Sequence, residues 1–213
     1  MDNLIYVLFV SIFVPILLMA CLVEKKARLP IIFVLIGIFL SVFASEVNAY
    51  MRNVLPISPF EVTIIVTPIS EEILKAIPIL FFAKVLAPKK EALFTASMAV
   101  GIGFAVLENA FYMLTSNSFN MIDAVVRAFG AGLMHGMCTL LVGVGILFVR
   151  KKPKLFLVGT FAMLSTAITY HGIYNMLVQS DLRAIGYILP ISTYIPFVVW
   201  RIKKKKPTNA KNS

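Results

Sequence analysis

Charge is what this sequence has least of. Asp, Glu, Lys and Arg make up 14% of its 213 residues, against 60% hydrophobic. With a mean hydropathy of +0.91 the chain cannot clothe a water-soluble surface, which excludes an ordinary soluble domain. Cysteine is nearly absent: Cys21 and Cys138 form no CxxC or zinc-knuckle spacing, so both read as plain buried thiols, and a disulfide is not expected. There are two histidines and no HExxH. No low-complexity tract, separate globular domain or internal repeat stands out. Leu18-Met19-Ala20-Cys21 superficially resembles a lipoprotein cleavage box, but no positive stretch precedes the first apolar run, and Glu24, Lys25 and Lys26 follow it. The first apolar run is therefore expected to be retained.

What the chain has in quantity is long apolar runs. Seven can be drawn, at about 4–23, 30–49, 60–86, 92–114, 122–148, 155–178 and 182–200. They predict an all-α, polytopic membrane protein of about seven transmembrane helices. The whole chain, 1–213, reads as one integral-membrane domain with a motif core at 60–178 and a basic tail at 201–213. Sixteen of the twenty Lys and Arg residues lie after the first run, around the turn from the third to the fourth (Lys84 included), between the fifth and sixth, and in the tail. By the positive-inside rule this predicts an outside N-terminus and a cytoplasmic C-terminus. The net charge of +10 is thus a matter of topology; nucleic acid is not an expected partner, and the tail is a topology anchor near lipid headgroups.

The third run breaks its own pattern. Glu71, Glu72 and Lys75 sit inside it, where each charge costs roughly 2.5–3.5 kcal/mol on insertion scales. Such residues face a bundle interior or a wet cavity and mark a functional site by default. The fourth run carries Phe104, Glu108 and Asn109, the fifth Arg127 and His135, the sixth His171 and Asn175. Residues four apart share a helix face, which directs Glu71 with Lys75, Phe104 with Glu108, and His171 with Asn175. At about 1.5 Å per residue Glu71 lies roughly 15 Å below the outer surface, and all four sets fall in the outer half of the bilayer. A shared hydrated cavity opening outward is expected. Blander readings stand beside it. Glu71 and Lys75 could be an ion pair that fixes packing, Asn109 and Asn175 could glue helices, and Arg127 could snorkel outward. His135 could be a satisfied core histidine, and Glu46, Glu61 and Asp123 read as interfacial. Gly101, Gly103, Gly130, Gly132 and Gly136 read as close-packing positions.

Carboxylates beside Lys75 or Arg127 can be held in different charge states, so one pocket can offer both base and acid. Glu71 is expected to activate water, assisted by Glu108, with His171 and Asn175 binding the oxyanion. Glu72, Lys75, Asn109, Arg127 and His135 would support these groups. The chemistry implied is water attack on a carbonyl within the membrane. Ser70 points away from Lys75 and Cys138 has no base at i±4, which disfavours either as nucleophile. No metal is favoured, although His135 and His171 with Glu71 or Glu108 make an acceptable zinc set. A proton-coupled transporter and a catalytically silent scaffold are the other classes, the former weakened by the lack of an inverted repeat.

Taken together, Glu71-Glu72-x-x-Lys75, Phe104-x-x-x-Glu108-Asn109, Arg127 with His135, and His171-x-x-x-Asn175 resemble the PrsW family of intramembrane proteases. That family is distantly similar to the CAAX-processing membrane proteases, with their EExxxR, FxxxH and HxxxN motifs. Here Lys75 comes one residue early and Glu108 stands where that pattern has histidine, so prenyl-protein processing is not expected. The resemblance implies a bacterial plasma-membrane enzyme that makes the first cut, on the extracytoplasmic side, in a single-pass regulator such as an anti-sigma factor. It also carries a classification among metallopeptidases. The oligomeric state is not legible.

Overall fold

The computed structural model describes residues 4–115, 121–151 and 156–205. Among them there is no strand. Helices α1 (Leu4–Leu22) and α2 (Lys25–Val54) come first, then a short α3 (Pro59–Glu61) that runs through a π-helical stretch, Val62–Val66, into α4 (Thr67–Val85). Next are α5 (Lys90–Thr115) and α6 (Met121–Lys151). A second π-helical stretch, Phe156–Phe161, opens α7 (Ala162–Val178), and α8 (Arg183–Lys205) follows. Among the described residues four helices are long and apolar enough to cross a membrane: α1, α2, α5, and α6 over Ala124–Phe148. Helix α4 misses that description because Glu71, Glu72, Lys75 and Lys84 interrupt it, and α7 has 17 residues.

The apolar surface is distributed as a bilayer requires. Phe33, Ile79, Phe82, Leu93, Val100, Met134 and Val142 form a buried core, while Phe39, Phe43, Ile73, Ile77 and Phe81 lie exposed on the bundle's outside. With lipid as apolar as the core, hydrophobicity does not drive helix against helix, so close backbone approach and interhelical polar contacts must. Both are present. A Cβ on Gly37 would lie 2.1 Å from the Val100 carbonyl oxygen, one on Gly103 2.2 Å from that of Val34, and one on Gly101 2.2 Å from that of His135. Helix α5 is thereby pressed between α2 and α6. Gly132 breaks the expected pattern: a Cβ there meets nothing within 4 Å. Helix α1 lies at the edge against α2 and α5, and Tyr6 there donates a 2.7 Å hydrogen bond to Glu46. Arg28 ties α2 back to α1 by donating to the Val23 carbonyl at 3.0 Å.

The entry into α4 is built with care. Ser58 and Glu61 form a reciprocal capping box, so Glu61 serves the helix start and is more than an interfacial charge. The π-helical stretch shifts the backbone ladder and leaves carbonyls short of their usual partners. Asn175 of α7 donates to the Thr63 carbonyl at 3.1 Å, and glycine at 172 lets α7 approach the Ile64 carbonyl. Helix α7 is thus locked to the start of α4, with His171 one turn from the lock.

Candidate active site

Five helices send polar side chains to one place, each from near the same end of the bundle. Asn48 lies six residues before the end of α2, and Glu71 four residues into α4. Glu108 and His171 each lie seven residues before the ends of α5 and α7, or about 10 Å of helix. Helix α6 contributes Arg127 in its second turn and His135 two turns further on.

Lys75, like Glu72, is fully buried. Its Nζ lies 2.6 Å from Glu72 Oε1 and 2.9 Å from His135 Nδ1. Glu72 Oε1 also accepts from His171 Nδ1 at 2.8 Å. On its other side His135 Nε2 lies 2.7 Å from Glu108 Oε2, and Glu108 Oε1 is 3.6 Å from Arg127 Nη2. The result is a continuous polar chain, His171–Glu72–Lys75–His135–Glu108–Arg127. It runs from a fully buried carboxylate to one whose side chain is 32% exposed. Glu108 is therefore the group at the mouth. Phe104 lies under Lys75, with Nζ 4.7 Å from the ring centroid, and Tyr112 lies under the Arg127 guanidinium at 3.7 Å. Both rings stabilise the cations they face.

Glu71 stands apart from that chain. Asn48 donates to its Oε1 at 3.2 Å and accepts from Ser70 Oγ at 2.7 Å. Its Oε2 is buried without a hydrogen-bond partner, 3.9 Å from His171 Nε2. This corrects the pairing expected from helix periodicity: Lys75 bonds Glu72 at i+3, and Glu71 turns instead towards α2 and α7. The reason lies outside α4. The imidazoles of α6 and α7 draw Lys75 and Glu72 to their side, and Asn48 claims Glu71. Arg127 does not snorkel; its side chain is nearly buried against Tyr112 and Glu108. Asn175 is held by the Thr63 carbonyl, and the buried Oδ1 of Asn109 has no partner. Ser70 donates to Asn48 Oδ1 and the Thr67 carbonyl, on the side of α4 away from Lys75 as helix geometry leads one to expect. Cys138 is buried, with its thiol donating to the Ala167 carbonyl, whereas Cys21, expected to be buried, is exposed near the end of α1. The Asp123 side chain and the tail beyond residue 205 fall outside the described residues.

Sequence reasoning passed over Asn48 and Tyr112. Asn48 could have been found only as a lone amide at the outer end of an apolar run, well above the depth expected for Glu71. Tyr112 had no signal, because an aromatic near a span end is ordinary.

A metal is the remaining question of composition. Glu71, His135 and His171 each offer a ligand atom within 4.8 Å of the other two. Two imidazoles and a carboxylate suit a catalytic zinc, and Glu72 on His171 Nδ1 supplies the outer contact that orients a ligating imidazole. Glu71 Oε2, buried and unpartnered, is the kind of atom a cation would satisfy. The donor set therefore fits, with one condition. Both His135 nitrogens already have partners, so ligation there requires Lys75 or Glu108 to let go.

The model of the PrsW family intramembrane metalloproteases matches residues 25–201 of the chain. The chain belongs to this family. Neither the curated proteins nor the solved structures compared give a match. As a PrsW family member with several apolar membrane-length helices, it is a multi-pass membrane protein with a membrane protease's role. The family's name includes a metal, so the metal-free expectation gains no support from it.

Proposed function

We propose that this PrsW family protein is an intramembrane endopeptidase that hydrolyses peptide bonds of single-pass membrane regulators near the extracytoplasmic face. An anti-sigma factor undergoing its first cut is the expected substrate. Seven helices cross the bilayer in this reading, with the N-terminus outside and the C-terminus in the cytoplasm. Lys25 and Lys26 open α2, Lys84 is in the last turn of α4, and Lys90 opens α5; each helix carries its site residue near the opposite end. With the basic ends inside, the polar cluster would lie in the outer half.

The observation that carries the catalytic reading is the gap of 3.9 Å between Glu71 Oε2 and His171 Nε2. It is too long for a hydrogen bond and suits a water that touches both. Glu72, as a carboxylate, can only accept, so His171 Nδ1 carries the hydrogen and Nε2 presents a lone pair. A water in the gap would give one hydrogen to Glu71 and one to His171, leaving its oxygen lone pairs for the substrate carbonyl. As the C–O bond forms, one of these two groups takes the proton and later returns it to the departing amine nitrogen as the C–N bond breaks. His171 is an oxyanion donor only after it has taken that proton. Asn175 acts through position, holding α7 to the start of α4. A zinc ion held by Glu71, His135 and His171 would supply Lewis acidity to water and carbonyl, and would make Glu71 a ligand in place of a base.

The test is incubation of the purified protein with a candidate single-pass substrate, followed by mass mapping of the products. A single cut near the extracytoplasmic end, lost in Glu71→Gln, is the expected result. Ion or solute flux in liposomes with no cleavage would replace the protease with a transporter.

A further inference from the structure

Helix α2 reaches the site through Asn48, which is buried in the last two turns of that helix. Its amide can face only one way. Glu71, as a carboxylate, only accepts, so Nδ2 must turn to Glu71 Oε1, 3.2 Å away, and Oδ1 must turn to the other side. There Ser70 Oγ donates to it at 2.7 Å. Ser70 also lies 3.0 Å from the Thr67 carbonyl, which keeps the hydroxyl on that side of α4. The packing of α2 does not depend on this pair, because Gly37 and Gly103 already press that helix against α5.

The hold on Glu71 has a competitor. Lys75 stands four residues on, the spacing and order at which a glutamate and a lysine attract each other along a helix. Its ammonium has three hydrogens, and Glu72 and His135 engage it on two sides. Left to α4 alone, the flexible Glu71 side chain would swing towards Lys75, and Oε2 would leave His171. With Asn48 on Oε1, Oε2 instead stands 3.9 Å from His171 Nε2. Misplacing a reacting group by about 1 Å can cost on the order of 10²-fold in rate. A side chain that fixes this carboxylate therefore contributes to turnover without touching substrate.

Resting on the protease reading above, we propose that Asn48 and Ser70 are positioning residues for Glu71. Ser70 sets which way the Asn48 amide faces, and Asn48 holds Glu71 Oε1 against the attraction of Lys75. Oε2 is thereby kept on the His171 side. The pair acts in the same way whether Glu71 takes a proton from water or ligates a metal, since both need Oε2 in place.

The experiment uses the full-length protein in phospholipid vesicles and a single-pass membrane-segment peptide whose cut by the wild type has been mapped. Asn48→Leu, similar in size but without hydrogen bonds, is expected to lower kcat by about 10–100-fold and to leave KM within about 2-fold. Ser70→Ala lowers kcat in the same sense but less, and Ser70→Thr, which keeps the hydroxyl, restores it. Adding Asn48→Leu to Glu71→Gln lowers the residual turnover no further, because the group it positions is already gone. An equal loss in both backgrounds, or a raised KM with kcat unchanged, is what a merely structural role gives, and either overturns the proposal. Should Asn48→Leu fail to fold, the Ser70 variants decide, and full kcat in Ser70→Ala overturns it. Infrared spectra of the same proteins need no turnover. The carboxyl band lost in Glu71→Gln marks Glu71, and it shifts in Asn48→Leu and Ser70→Ala if the pair holds that group. An unmoved band overturns the proposal and leaves the protease reading intact. A wild type that cleaves no peptide sinks the protease reading, while the band still decides what Asn48 holds.

Discussion

Lys75 Nζ lies 2.9 Å from His135 Nδ1, so a lysine and a histidine, both commonly cations, share a hydrogen bond in the protein interior. An ammonium has only donors, so Nδ1 must accept and the ring hydrogen must sit on Nε2, where Glu108 Oε2 accepts it at 2.7 Å. Lys75 thereby fixes the tautomer of an imidazole on another helix and, through it, the carboxylate at the mouth. It is an internal cation around which α4, α5 and α6 are oriented.

Removing that cation should be costly. Lys75→Met leaves Glu72 buried without its charge partner, and breaking a buried pair typically costs about 3–5 kcal/mol. Combining it with Glu72→Gln should recover part of the loss, since no charge is then stranded. Detergent-unfolding curves of the two single variants and the double variant check this; strictly additive losses would mean that the pair is not coupled.

Glu71→Gln should lower cleavage by about 10²–10⁴-fold, the range of a general base. Folding should be retained, because Asn48 can still pair with an amide at that position. Turnover in vesicles and the melting temperature are read together. Undiminished turnover removes Glu71 from the chemistry.

Metal content decides how Glu71 acts. With Glu71 as base, purified active protein holds less than one metal per chain, and chelator leaves turnover within about 2-fold of its starting value. Stoichiometric zinc that disappears in both His135→Ala and His171→Ala would instead make Glu71 a ligand. Elemental analysis of the same preparations gives the answer.

Gly101→Ala and Gly132→Ala should differ in sign. The first drives a Cβ into the His135 carbonyl, which must push α6 away, at about 1–3 kcal/mol and with loss of activity as His135 leaves Lys75. The second meets open space and should stabilise the helix by up to about 1 kcal/mol. Equal effects in unfolding curves would contradict the packing described.

Arg127→Lys keeps the charge and loses the flat guanidinium that rests on Tyr112. We expect a stability loss of about 0.5–2 kcal/mol, with Tyr112→Leu giving a similar loss and the double variant little more. A fully additive double variant would show that the two do not interact.

Composition and residue order were enough to read a helical, membrane-embedded chain, and to see which side chains are out of place there. Those are properties of composition and of single residues against their apolar neighbours, and lipid penalises each one separately. Glu71, Glu72, Lys75, Glu108, Arg127, His135 and His171 were all legible on that ground, as was the need for them to meet. Which of them meet is a property of the packed bundle. Periodicity within α4 paired Lys75 with Glu71, but partners on α2, α6 and α7 outbid it, because a hydrogen bond depends on where other helices place their donors. The same holds for glycine: nothing local separates Gly101, held against the His135 carbonyl, from Gly132, which faces an open groove, since the difference lies in the helix across from each.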